Sequence, residues 1–125
     1  MVAYNFQTQF VAPIQAGAKR QTIRRRGMRR HARRGDLLQL YTGQRTKHCR
    51  KILDADPKCV DVYLVTILVT EDTITDVFVD GHRVGSLEQF ARRDGFPDLA
   101  AMHEFWMRSH DVGPFSGVLI EWRAA

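Results

Sequence analysis

The sequence lacks any long, uninterrupted apolar run. A membrane-spanning helix needs ~20 consecutive apolar residues, and the longest apolar stretch, residues 60–69, is interrupted by Asp61 and Thr66. The first residues also do not combine a basic start with an apolar core, as a secretory signal does. These two absences predict a cytoplasmic protein that does not contact a membrane.

Cysteine is scarce, and potential metal ligands are scattered. Cys49 and Cys59 are the only two cysteines, and in a reducing compartment we expect free thiols. Zinc needs three or four converging ligands. His48 and Cys49 are adjacent and would point to opposite faces of a strand, while His103 and His110 have no evident third ligand. The sequence therefore predicts no metal site and no cofactor.

Acidic residues are missing from the most basic part of the chain. The chain has 125 residues and a net charge of +5, and its length fits one domain over residues 1–125. Residues 19–34 contain no Asp or Glu but hold Lys19, Arg20, Arg24, Arg25, Arg26, Arg29, Arg30, Arg33 and Arg34. This density favours a polyanionic partner such as nucleic acid. The alternative interpretation is a solvated loop that keeps the protein in solution.

Short alternating or β-branched segments predict strands along most of the chain. They lie at residues 4–10, 21–24, 37–41, 49–54, 60–70 and 115–122. A single helical turn is predicted at residues 13–18, which begin with proline. The Asp80-Gly81 pair predicts a tight hairpin within residues 77–84 because it tolerates positive backbone angles.

Two helices are predicted late in the chain. Ser86 begins a capping box and the helix ends near Gly95. Asp98 caps the second helix, in which apolar residues recur at helical spacing. Together these elements predict an α+β fold: a small, mostly antiparallel β-barrel, partly open, with two helices inserted before the last strand. A flat α+β sheet is the alternative.

Several short motifs resemble the ASCH domain family, whose members have a barrel related to the PUA domain. They are, in chain order, residues 14–19 (Ile-Gln-Ala-Gly-Ala-Lys), Thr22-Ile23-Arg24, Gly35-Asp36, Phe90-Ala91, Asp94-Gly95-Phe96 and residues 115–122. Each motif is short, but together they extend over nearly the whole chain in the family's order. The resemblance implies a PUA-like barrel and a role with RNA or a nucleoside.

The family resemblance also implies specific site residues. Some bacterial ASCH proteins are amidohydrolases that remove the acetyl group from N4-acetylcytidine, others are described as ribonucleases, and many are regarded as RNA-binding modules. In the amidohydrolases a lysine and a threonine act with a glutamate. These positions fall on Lys19, Thr22 and Asp94, the last being one methylene shorter than glutamate.

The chemistry of amide hydrolysis gives these residues definite tasks. Lys19 becomes a base only if burial or neighbouring cations such as Arg20 and Arg24 lower its pKa. Thr22 would attack or orient a water, Asp94 would carry a proton or fix the lysine, and Arg24 would hold a phosphate or a developing negative charge. The hypothesis requires Lys19, Thr22 and Asp94 to meet in one cleft.

The alternative function is binding or cleavage of RNA by the arginine-rich loop, residues 24–34. Arginine can hold phosphates bidentately and stack on bases. The candidate nucleic-acid contacts are Arg20, Arg24, Arg25, Arg26, Arg29, Arg30, Arg33, Arg34 and Tyr41. The aromatic residues of the two late helices are predicted to be core, with Phe96 the one aromatic beside the cleft. No protein partner is predicted.

Overall fold

A computed structural model of the chain describes residues 2–124 and has an α+β fold in which strands predominate. Its strands are β1 (Val2–Phe6), β2 (Gln21–Arg25), β3 (Leu38–Thr42), β4 (Arg50–Lys51), β5 (Lys58–Val69), β6 (Ile74–Val79), β7 (His82–Arg83) and β8 (Gly113–Arg123). Its helices are α1 (Val11–Gln15), α2 (Leu87–Arg93) and α3 (Leu99–Ser109). The two helices predicted before the last strand are confirmed as α2 and α3.

The strands form two sheets. One has the order β1-β3-β4, with β1 parallel to β3, and the other has the antiparallel order β2-β8-β5-β6-β7. The sheets meet where Leu37 bridges Lys58 and where the Cys59 N–H donates to the Asp36 carbonyl at 2.8 Å. Hydrogen bonding over residues 2–124 closes no ring of strands, so the predicted α+β class is confirmed but a closed barrel is not found.

Two predicted strands have other boundaries. The first ends at Phe6, because Thr8–Phe10 form a 3₁₀ turn that buries the Phe10 ring against Phe96, 5.3 Å between centroids. The strand predicted at residues 49–54 is reduced to β4, because the preceding segment turns back on itself: the Thr46 N–H donates to the Gly43 carbonyl at 3.1 Å.

The predicted caps and hairpin are confirmed. Ser86 and Asp98 each accept a hydrogen bond from the backbone N–H three residues on, which satisfies a donor at the start of α2 and α3. Asp80 and Gly81 both have positive φ, 48° and 81°, as a tight turn between β6 and β7 requires. None of the helices within residues 2–124 is long and apolar enough to span a membrane.

This arrangement positions the candidate residues. Strand β2 pairs with β8 and begins two residues after Lys19, so the Lys19–Arg25 segment lies at the edge of the larger sheet. Asp94 ends α2, and Gly95, with φ +96°, turns the chain toward α3. The turn between the helices thus faces the start of β2.

Candidate functional site

A cavity of about 270 Å³ lies between the end of β1, β2 and helix α3. We call it the central cleft. Lys19, Thr22, Arg24 and Asp94, the four residues predicted for the site, all line it. Its aromatic walls are formed by Phe6, Phe10, Phe96, Phe105, Trp106 and Phe115. The structure therefore brings the predicted residues together, as the hydrolysis hypothesis requires.

Lys19 and Asp94 form a buried pair in this cleft. They are only 2% and 4% exposed. Lys19 Nζ donates to the main-chain carbonyl of Asp94 at 2.6 Å and lies 3.6 Å from its carboxylate oxygen Oδ1. Gln21 Nε2 donates to the same Oδ1 at 3.1 Å. The short aspartate therefore reaches the lysine, and Gln21 fixes its carboxylate.

Aromatic rings and a glycine shape the environment of Lys19. Nζ lies 4.8 Å from the centroid of the Phe10 ring and 5.7 Å from that of Phe6, within reach of cation–π attraction. Gly95 packs against the aliphatic part of the lysine: a Cβ there would lie 2.6 Å from Lys19 Cδ. Gly95 is thus required by its positive φ and by this close approach.

Burial changes the acid–base properties of the pair. It lowers the pKa of Lys19, with Asp94 opposing the shift and Arg24 adding to it. Burial also raises the pKa of Asp94, against the effects of Lys19 and Gln21. Both shifts favour the uncharged forms, so the environment reduces the cost of a neutral lysine amine, the form that can accept a proton.

Thr22 and Arg24 are joined by a hydrogen bond. Arg24 Nε donates to Thr22 Oγ1 at 3.0 Å, and Arg24 Nη2 donates to the Asn5 carbonyl at 2.8 Å. The guanidinium also stacks near the rings of Tyr4 and Phe6, 5.1 and 4.9 Å from their centroids. Because the threonine oxygen accepts from arginine, its own proton is left for another acceptor, and the adjacent positive charge stabilises an alkoxide.

The far wall of the cleft carries further polar groups. Arg25 stacks over Phe115, 5.1 Å from the ring centroid, and its Nη2 lies 3.1 Å from His110 Nδ1. The indole of Trp106 contacts the rings of His110 and Phe115, with centroids 4.8 and 5.1 Å away. Burial lowers the pKa of His110, and the positive charge of Arg25 lowers it further, whereas Asp111 acts in the opposite direction.

The candidate nucleic-acid residues do not form one surface. Arg24 and Arg25 line the central cleft, whereas Tyr41 is half-buried and lines a separate depression together with Arg29. Arg20 borders a third depression. The remaining exposed arginines of the loop are Arg26, Arg30, Arg33 and Arg34.

A carboxylate just beyond the arginine-rich loop compensates the charge of Arg30. Its Nη2 lies 3.0 Å from Asp36 Oδ2, and the Arg33 backbone N–H donates to the same oxygen at 2.8 Å. Asp36 directly follows Gly35 at the end of the loop, so the chain folds back to supply the missing charge. Arg29 is likewise held, because its guanidinium donates to the Ala3 carbonyl and stacks 5.3 Å from the Tyr4 ring centroid.

The sequence reasoning missed Gln21 and His110, and of the six aromatic wall residues it placed only Phe96 beside the cleft. Gln21 lies between two predicted residues but carries no chemical signature of its own. Trp106 was predicted to be core, and it is only 3% exposed, yet it also lines the cleft. His110 ends α3 and was considered only as a metal ligand.

No group of three or more metal-ligating side chains occurs within residues 2–124. The cleft offers one carboxylate, one lysine, two hydroxyls, one imidazole and two guanidinium groups as its chemistry. No protein-family model, curated protein or solved structure was found to match this chain.

Proposed function

We propose that this chain is an ASCH-type domain that hydrolyses the N-acyl group of a modified nucleoside such as N4-acetylcytidine. The observation that carries the proposal is the buried pair of Lys19 and Asp94 in the same aromatic-walled cleft as Thr22. In this proposal the two sheets correspond to a PUA-like barrel that is open between them. Four of the six motifs that resemble the ASCH family contribute residues to the cleft, whereas Gly35-Asp36 and Phe90-Ala91 do not line it.

The size and walls of the cleft support a nucleoside as ligand. Ligand pockets usually have ~300–1,000 Å³, and the cleft volume of about 270 Å³ lies just below that range. One base with its sugar suits this space better than an oligonucleotide. The aromatic walls offer flat apolar surfaces on which a base stacks.

The proposed reaction begins with a proton transfer from the Thr22 hydroxyl to the Lys19 amine. The Thr22 oxygen then attacks the acyl carbon, and the positive charge of Arg24, which lines the cleft, stabilises the negative oxygen of the tetrahedral intermediate. The C–N bond breaks, and the cytosine nitrogen takes a proton from the Lys19–Asp94 pair. A water, deprotonated by the same lysine, attacks the acyl-threonine. The bond between the acyl carbon and the Thr22 oxygen breaks, the threonine oxygen takes the proton back from the lysine, and the carboxylic acid leaves.

The test is acetate release from N4-acetylcytidine by the purified protein. We expect Lys19→Met to lower kcat by ~10²–10⁴-fold because it removes the general base, while the exposed Lys47→Met leaves it unchanged. Failure of the wild-type protein to release acetate would exclude this substrate. Equal turnover by Lys19→Met would exclude the mechanism.

The second candidate function is RNA binding by the arginine-rich loop, residues 24–34. It is favoured by the exposed side chains of Arg26, Arg33 and Arg34, which make no ion pair with the carboxylates of residues 2–124. Substituting all three by Gln should reduce the slope of log K against log salt by ~2, since each lost contact with single-stranded RNA removes ~0.7. An unchanged slope would exclude this surface.

A further inference from the structure

One end of the central cleft consists almost entirely of hydrogen-bond donors. Three side chains surround the Phe115 ring, and we call them the donor cluster: Arg25, His110 and Trp106. The guanidinium carbon of Arg25 and the ring centroids of the other two lie 5.0–5.1 Å from the Phe115 centroid. All of them line the same cavity as Lys19. The proposed hydrolysis uses none of these three side chains, so their arrangement calls for a separate explanation.

The hydrogen bond between Arg25 and His110 fixes which imidazole nitrogen carries the proton. Arginine has only donors, so His110 Nδ1 must accept at 3.1 Å. A neutral imidazole that accepts through Nδ1 carries its proton on Nε2. His110 therefore presents a second donor, and Arg25 retains its other N–H groups, because its exposed guanidinium forms no ion pair among residues 2–124.

Trp106 adds a donor that has no acceptor. Its Nε1 is the buried side-chain nitrogen or oxygen within residues 2–124 that lacks a hydrogen-bond partner. Leaving such a group unsatisfied costs ~1–3 kcal/mol, and native proteins rarely do so. Trp106 forms part of the cleft wall, but protein atoms cover its Nε1, so an acceptor on a ligand reaches this N–H only if the wall shifts.

The charge of the cleft shows what kind of acceptor fits. Lys19, Arg24 and Arg25 are its cationic residues, and Asp94 is the one carboxylate among the residues that line it. Lys19 and Asp94 compensate each other whether or not a proton passes between them. The two arginines therefore leave two positive charges, and a phosphate monoester carries about −1.5 to −2 at pH 7.

We propose that the donor cluster binds the phosphate of a nucleoside monophosphate, so that the substrate is an acylated nucleotide rather than the free nucleoside. The guanidinium of Arg25 can hold two phosphate oxygens bidentately, and Nε2 of His110 can donate to a third. This inference rests on the proposed nucleoside site and specifies its substrate class.

The test is calorimetric titration with cytidine, cytidine 5′-monophosphate and inorganic phosphate. We expect the monophosphate to bind at least ~10-fold more tightly than cytidine, because one charge-assisted hydrogen bond increases affinity by about this factor or more. Arg25→Gln should abolish this preference, so that cytidine and its monophosphate bind with equal affinity. Arg92→Gln is the matched control, because Arg92 is exposed on α2 and outside the cleft. Inorganic phosphate should compete with the monophosphate but not with cytidine.

The outcomes separate this inference from the proposed hydrolysis. Equal affinity for cytidine and its monophosphate, or no binding of either, would overturn the phosphate site, even if N4-acetylcytidine is hydrolysed. A monophosphate preference that depends on Arg25 would support it, even if no acyl group is released. A cytidine trinucleotide without a terminal phosphate is the last comparison. If it bound more tightly than the monophosphate, the proposal of a monoester site would be overturned, and the phosphate recognised would be a phosphodiester of RNA.

Discussion

Replacing Lys19 by Met isolates the role of the buried ion pair. The change keeps most of the side-chain length but removes the ammonium that lies 3.6 Å from Asp94 Oδ1. Asp94 then remains buried with only Gln21 donating to its carboxylate. Because burial raises the pKa of Asp94 and the opposing lysine is gone, the carboxyl takes up a proton in the folded variant.

The cost of that proton uptake can be worked out for pH 7. An unfolded aspartate has a pKa of ~3.9, and each pH unit above this adds ~1.36 kcal/mol to the cost of keeping the group neutral. The total is about 4 kcal/mol at pH 7, which agrees with the ~3–5 kcal/mol expected for removing one partner of a buried pair. It is a large part of a total stability of ~5–15 kcal/mol.

Urea denaturation of wild type and Lys19→Met at several pH values measures this cost. The folded Asp94 has the raised pKa, so it binds more protons than the unfolded chain, and the variant loses stability as the pH rises above ~3.9. The difference from wild type should therefore shrink by about 1.4 kcal/mol per unit as the pH falls from 7 toward 4. Lys19→Met with Asp94→Asn should recover most of the loss and show no such slope. A loss below ~1 kcal/mol, or one independent of pH, would refute the reasoning.

Three further substitutions test individual contacts. Gly95→Ala should lower both Tm and turnover, because the added Cβ would displace the Lys19 side chain. The control Gly85→Ala should change turnover little, because no atom lies within 4 Å of its added Cβ. Equal effects of the two substitutions would contradict the packing argument. Thr22→Val should reduce kcat by at least ~10³-fold with a stability loss of only ~1 kcal/mol, and an active variant would exclude the threonine as nucleophile. Trp106→Phe should cost the unliganded protein less than ~2 kcal/mol in denaturant, because removal of an N–H without an acceptor offsets part of the packing lost from this buried side chain, and a larger loss would contradict this.

Much of the local structure could be predicted from residue patterns. The caps at Ser86 and Asp98 and the turn at Asp80-Gly81 depend on neighbouring residues only, and the structure confirms all three. Whether the strands close into a barrel depends on pairing between distant parts of the chain, which local residue patterns do not determine. A closed barrel was therefore not predictable from those patterns, and the strands form two sheets. The Phe10 region turned helical because the ring packs against Phe96, far away in sequence.

The family resemblance supplied the positions of Lys19, Thr22 and Asp94, and the structure places all three beside one cavity. Trp106 shows the limit of periodicity: helical spacing correctly indicates that it faces inward, but not that a cavity lies there. The donor role of His110 depends on Arg25, which only the tertiary fold brings within 3.1 Å.

The most direct test of the central claim is the pH dependence of acetate release from N4-acetylcytidine. The account predicts that kcat/KM rises with pH along a limb centred below the ordinary lysine pKa of ~10.4, because burial lowers the pKa of Lys19. Lys19→Met should lose this limb together with the activity. Turnover that is absent from the wild-type protein at every pH, or that keeps the same limb in Lys19→Met, would contradict the account.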